Sequence, residues 1–167
     1  AFRSLAIVDS SAAKTKVDNL LNRDSHTDVI RKAAISYYGT VMNDANYIKL
    51  KKLSTYGGTT WDARPEAINQ LGKYAKNKPE IIDLFIEFLS DNTRSVRRNA
   101  VRQIGRYGEI KHLDALDELL AEDTILERNI RYAKKNILKP SNKLKNDQEK
   151  EIERLTKKLD NIRKLVN

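Results

Sequence analysis

The chain has 167 residues, 40% of them hydrophobic and 33% charged, which is the composition of a folded globular domain or short repeat array rather than of a disordered chain. It holds no cysteine, so disulfides and thiolate metal sites are excluded, and no apolar run approaches the ~20 residues that cross a bilayer. The net charge of +9 makes acidic partners and nucleic acid worth weighing, although charge bears on partners and not on fold.

The first predicted element is a partial helix. Ala1, Phe2, Leu5 and Ala6 carry a spacing that returns 33 residues later as Ala34, Ile35, Tyr38 and Gly39. In that second copy Ile30 and Arg31 precede the alanine. A further 33 residues on stand Ala63, Arg64, Ala67, Ile68, Leu71 and Gly72, and then Val96, Arg97, Ala100, Val101, Ile104 and Gly105. A last, looser copy has Ile130, Arg131 and Leu138, with the alanine slipped to Ala133 and no glycine. Six matched residue classes at a constant period are the signature of a repeat array. By this register the chain starts inside the first helix of an earlier repeat, as a fragment of a longer polypeptide would. The N-terminus has no basic segment followed by a long apolar core, so no signal peptide is read there, and a cytoplasmic location is the default.

Each copy predicts a helical hairpin. The apolar residues of "VRRNAVRQIG" fall on one helical face, and a glycine follows, the usual residue for leaving a helix. A second amphipathic run comes next: Ile82, Phe85, Ile86 and Leu89 in one copy, Leu113, Leu116, Leu119 and Leu120 in another. "NRDSHT", "LSDNTRS" and "AEDT" separate the copies and can cap the following helices. "YGGTT" reads as a loop of about five residues preceding a repeat, the expected flexible break in the array. The small central alanine lets neighbouring helices approach, so the pattern specifies a stack. The expected fold is all-α: an α-solenoid, a superhelical stack of about four hairpins over residues 1–139 with the first truncated. Second helices around 80–89 and 112–121 would line its partner-binding surface.

After Pro140, residues 140–167 read as a polar linker and a C-terminal amphipathic helix. Ile152, Leu155, Leu159, Ile162 and Val166 make a heptad seam two heptads long. Such a seam must be buried, either by capping the last repeat or by self-association into a homo-oligomer.

No catalytic constellation appears. His26 and His112 are far apart and read as ordinary surface histidines, so "HExxH" zinc chemistry cannot be assembled, and no "GxGxxG", Walker or "GxSxG" turn is present. The chain itself is read as no enzyme, with no catalytic or metal residue and no cofactor. Trp61 and the tyrosines Tyr37, Tyr38, Tyr47, Tyr56 and Tyr74 read as fillers between helices.

The arginines divide into two sets. Arg31, Arg64, Arg97 and Arg131 recur with the repeat, which marks groups bridging the stack to acids at repeat turns such as Asp62, Asp91 or Asp123. Arg94, Arg98, Arg102 and Arg106 are spaced by four and form one ridge, absent one repeat earlier, where Trp61, Pro65, Asn69 and Lys73 stand. This second set is the candidate partner surface. Charge alternates along the chain: residues 94–106 carry five positive charges and no acid, 107–127 seven acids against one lysine, and 128–145 seven positive charges and no acid.

"SVRRNAVRQIGRYGEIKHLDALDELLAED" resembles the short HEAT-like repeat of the phycobilin-lyase type, through its valine-arginine, central alanine and closing apolar-glycine pair. The resemblance covers residues 1 to about 139 and implies a helical-repeat fold. "TTWDARPEAINQLGKY" and the charged, leucine-bearing tail further resemble the C-terminal extension of zinc aminopeptidases of the aminopeptidase N type. That resemblance implies a non-catalytic accessory scaffold, packed on the upstream domain of the same polypeptide or on another protein. The family's zinc and substrate-amine motifs would lie upstream of Ala1, so no catalytic residue carries over. The alternative reading is a basic solenoid binding DNA or RNA phosphates through the arginine ridge. No membrane partner is expected.

Overall fold

The computed structural model describes residues 10–139, 152 and 154–156. Eight helices follow one another in the continuous stretch: α1 Ser10–Leu21, α2 Val29–Tyr38, α3 Asp44–Ser54, α4 Arg64–Leu71, α5 Ile81–Glu87, α6 Arg94–Tyr107, α7 Leu113–Glu122 and α8 over 127–139. No strand occurs among the described residues. Short 3-10 turns at Gly72–Lys76 and Phe88–Ser90 extend α4 and α5, and those at Ile110–His112 and Thr124–Leu126 lead into α7 and α8. The even-numbered helices are the first members of successive hairpins, and the odd-numbered ones the second. α2 packs on α4 and α4 on α6, while α3 wedges against α4 and α5 against α6. The result is an all-α helical-repeat solenoid.

The apolar period explains this stack directly. Ala34, Ala67 and Ala100, one repeat apart, are each fully buried, as are Ile35, Ile68, Val101 and Ile104 beside them. In α6 the opposite face carries exposed Arg94, Arg98, Arg102 and Arg106, so one helix shows a core stripe and a solvent stripe. The buried apolar residues form one unbroken cluster from Val17 to Ile137. Helix starts follow local chemistry. The Asn43 side chain accepts the backbone N–H of Asn46 at 2.8 Å, a cap that stabilises α3 by about 1 kcal/mol. Pro65 stands at the start of α4, where its missing donor goes unneeded.

Three residue types sit differently from the sequence expectation. The repeat glycines do not end their helices by a left-handed turn: Gly39 and Gly72 keep right-handed φ of −84° and −56°, and Gly105 lies inside α6. They are there for closeness. A methyl group on Gly72 would strike the Gln103 side chain, and one on Gly105 would strike Ala133 of α8. His112 is buried, not superficial; its Nδ1 accepts the Glu109 N–H at 2.8 Å and anchors the entry to α7. Trp61 and Tyr56 are exposed rather than filling gaps, because both belong to the long break before α4, which lies outside the stacked faces. Tyr37, Tyr38 and Tyr74 do fill the core, with Tyr47 partly buried beside them. The Tyr74 hydroxyl donates to the Tyr38 carbonyl at 3.1 Å. Burial, reinforced by Asp18 accepting its hydroxyl at 2.7 Å, pushes Tyr38 well above the usual phenol range.

Candidate functional site

Two of the recurrent arginines, Arg64 and Arg97, bridge the seams between hairpins. Arg64, with a side chain only 3% exposed, donates its Nε to the Ser54 carbonyl at the end of α3 and its Nη2 to Asp91 at 2.7 Å. Arg97 donates to the Asp91 carbonyl at 2.7 Å and, through Nε and Nη2, to Asp123 at 3.2 and 2.7 Å. The two arginines and two aspartates thereby link consecutive repeat turns. Asp91 and Asp123 also accept the N–H groups of Thr93 and Ile125, so each carboxylate fixes its own turn and the neighbouring repeat together.

Arg31 behaves as a variant of this theme. It donates to the Leu21 carbonyl at 2.7 Å, as Arg64 does to Ser54, but its acids are Asp24 and Asp28, which precede it. The reason is visible in the sequence: Gly58 of "YGGTT" stands where Asp91 stands one repeat later. Thr60 from that break donates to Asp28 instead, and Asp62 takes Lys32 at 2.8 Å. Arg131 differs again. Its side chain is 73% exposed and meets Glu127 one turn back in the same helix, a pair of the kind that contributes little.

A polar ladder that the residue classes of the repeat do not contain runs beside the arginines. Gln70 and Gln103, both buried, reach back 34 residues to Ser36 Oγ and Asn69 Oδ1, each at 3.0 Å. The signal was the glutamine just before each closing pair, "QLG" and "QIG".

Asp91 titrates unusually. Burial alone would raise it, yet the Arg64 guanidinium and the Thr93 N–H outweigh that and hold it below the ordinary carboxylate range. The Arg97 hydrogen bonds hold Asp123 down in the same way. A carboxylate depressed in the folded state contributes stability above its unfolded pKa of about 4, and loses it as pH falls through the folded value. Thermal melts from neutral pH downward should therefore show the chain weakening below about pH 4. The gap between wild type and Asp91→Asn should narrow over the same range; a gap unchanged to the acid end would contradict the assignment.

The ridge arginines Arg94, Arg98, Arg102 and Arg106 are all exposed on α6. Arg102 donates to Asn99 Oδ1 at 3.3 Å, and among the described residues none of the four makes an ion pair. Three of them face α8 across an open cleft, with Arg128, Tyr132 and Lys135 on the far side. The outer faces of the second helices have the opposite sign, with exposed Asp83 and Glu87 on α5 and Asp114, Glu118 and Glu122 on α7. Ile152 and Leu155 of the heptad seam are helical and exposed, whereas Leu159, Ile162 and Val166 lie outside the described residues. Among the described residues no group of acids or histidines could hold a metal ion, and no helix is long and apolar enough to cross a membrane.

Stacked hairpins tied by arginine–aspartate seams define a helical-repeat solenoid of the scaffold type. The chain belongs to the HEAT repeats family, which matches residues 50–133, just over half of its length. No curated protein and no solved structure matches it.

Proposed function

We propose that the chain is a non-catalytic scaffold module, docking on the upstream domain of its own polypeptide or on another protein. HEAT repeats are helical scaffolds for protein interaction, and one observation carries the reading further: the exterior is split by sign. Cations dominate the α6–α8 face, whose helices carry a single acid, Glu127, paired with Arg131, and carboxylates crowd the outer faces of α5 and α7. Opposed fields of this kind select and orient a partner more than they add raw affinity. The finer reading, a C-terminal extension of an aminopeptidase N-type zinc enzyme, rests on "TTWDARPEAINQLGKY" and the charged tail. Residues 1–139 would be the array and 140–167 the linker and terminal helix, with the heptad seam available for self-association. Reading the gene upstream of Ala1 tests it. An "HExxH" with a glutamate further downstream is expected, and a full-length protein without one overturns the parentage.

A second reading, phosphate binding by the arginine ridge, is favoured by the cleft between α6 and α8, which no carboxylate lines.

A further inference from the structure

Between them α6 and α8 leave a cleft of about 380 Å³ adjoining a wider one of about 600 Å³. The two share Arg102, Asn129 and Tyr132, so they form one continuous groove. Its floor is made by Gly105 and Ala133, the point where the helices come closest. Its walls carry Arg98, Arg102 and Arg106 from α6 and Arg128, Arg131, Tyr132 and Lys135 from α8. Asn129 and Asn136 add amides.

Three features define the occupant. First, the groove lining holds six cations and no acid; Arg131 is paired with Glu127, but among the described residues no acid pairs with Arg98, Arg102, Arg106, Arg128 or Lys135. The ligand therefore has a repeating negative charge. The guanidiniums recur at every fourth residue, about 6 Å along the helix, which suits a linear polyanion lying along α6. Second, no apolar side chain larger than alanine lines the groove apart from the tyrosine ring, whereas a protein-docking site has an apolar core. Third, Tyr132 stands 67% exposed and lines the groove with Arg102 and Lys135, a flat ring open to solvent amid the charges. Adjacent helix axes are separated by about 8–10 Å, so a duplex can lie across the groove but not enter it. A single strand can enter, and only an unstacked base can lie on the tyrosine.

We propose that the α6–α8 groove binds single-stranded nucleic acid, phosphates on Arg98, Arg102 and Arg106 and a base stacked on Tyr132. This rests on the phosphate-binding reading of the same face.

The test is fluorescence anisotropy of the full 167-residue chain with a labelled mixed-sequence single-stranded DNA of about 12 nucleotides, beside its duplex, across a salt series. The single strand should bind about tenfold more tightly than the duplex. Tyr132→Ala should weaken the single strand about tenfold and leave the duplex unchanged, while Tyr132→Phe retains binding. Replacing Arg98 and Arg102 together by glutamine should lower the salt slope by about 1.4, from about 0.7 per strand phosphate. Circular dichroism checks that each variant, altered only at exposed positions, keeps its fold. Equal binding of both forms with Tyr132→Ala neutral overturns the single-strand site but leaves a phosphate-binding face. No binding of either at low salt overturns both. Polyglutamate bound as tightly as the strand, with the same dependence on the arginines, assigns the groove to an acidic protein and overturns the proposal.

Discussion

Gly105→Ala is expected to destabilise the chain by about 2 kcal/mol, even though alanine is the better helix former by about 1 kcal/mol. The new Cβ would stand 2.6 Å from both the Cα and the Cβ of Ala133. Neither atom can turn aside, because one is backbone and the other is fixed to it, so α6 and α8 must move apart. Gly72→Ala makes an instructive contrast. Its Cβ would meet the Gln103 side chain, with Cδ at 2.7 Å, and that side chain can swing away by giving up its bond to Asn69. A loss of about 1 kcal/mol is expected there, the scale of one buried hydrogen bond, and Gln103→Ala in the same chain should recover part of it. Urea unfolding of the three variants measures both. A neutral or stabilising Gly105→Ala would show that the two helices do not approach as described, and would remove the floor of the α6–α8 groove as well.

The comparison also shows what a periodic sequence does and does not disclose. A residue class that returns every 33 positions reports that a position is used alike in each repeat. Thus Ala34, Ala67 and Ala100 could be assigned to the stacked faces from their spacing alone, and all three are fully buried. Spacing is silent about the partner. Arg64 and Arg31 donate to the backbone carbonyls of Ser54 and Leu21, and a carbonyl leaves no mark in the sequence. The glycines depart from the sequence expectation for a related reason: absence of a side chain serves a left-handed turn and a close crossing equally, and only the neighbouring helix distinguishes them. Trp61 occupies the ridge position one repeat before Arg94, and its exposure follows from that register, which outweighs the hydrophobicity of the ring. The ridge itself was legible as a stripe of arginines. The groove was not, since nothing in the spacing shows that Ala133 meets Gly105, the approach beside which Arg128, Tyr132 and Lys135 line the groove.

Arg64→Ala should be among the most damaging single changes on the polar side of the molecule, at about 3 kcal/mol, because it removes one partner of a pair held almost out of water. Asp91 would be left with its charge and without its guanidinium, and the Ser54 carbonyl without its donor. Arg64→Lys should rescue little: an ammonium can reach one of these acceptors but cannot span a carbonyl and both carboxylate oxygens as the planar fork does. Arg131→Ala, at the equivalent repeat position but exposed and paired only within its own helix, should change stability by less than about 0.5 kcal/mol. The form of the unfolding curve carries further information. In a solenoid each repeat is held by its neighbours, so weakening one seam uncouples the segments on either side. Loss of Arg64 should therefore lower the urea m-value as well as the midpoint, with the repeats before and after the seam unfolding separately. A variant that lost stability with an unchanged m-value would place Arg64 within one repeat's own packing rather than across the seam. Equal losses for Arg64→Ala and Arg131→Ala would deny that burial and the paired aspartate set the contribution of this position.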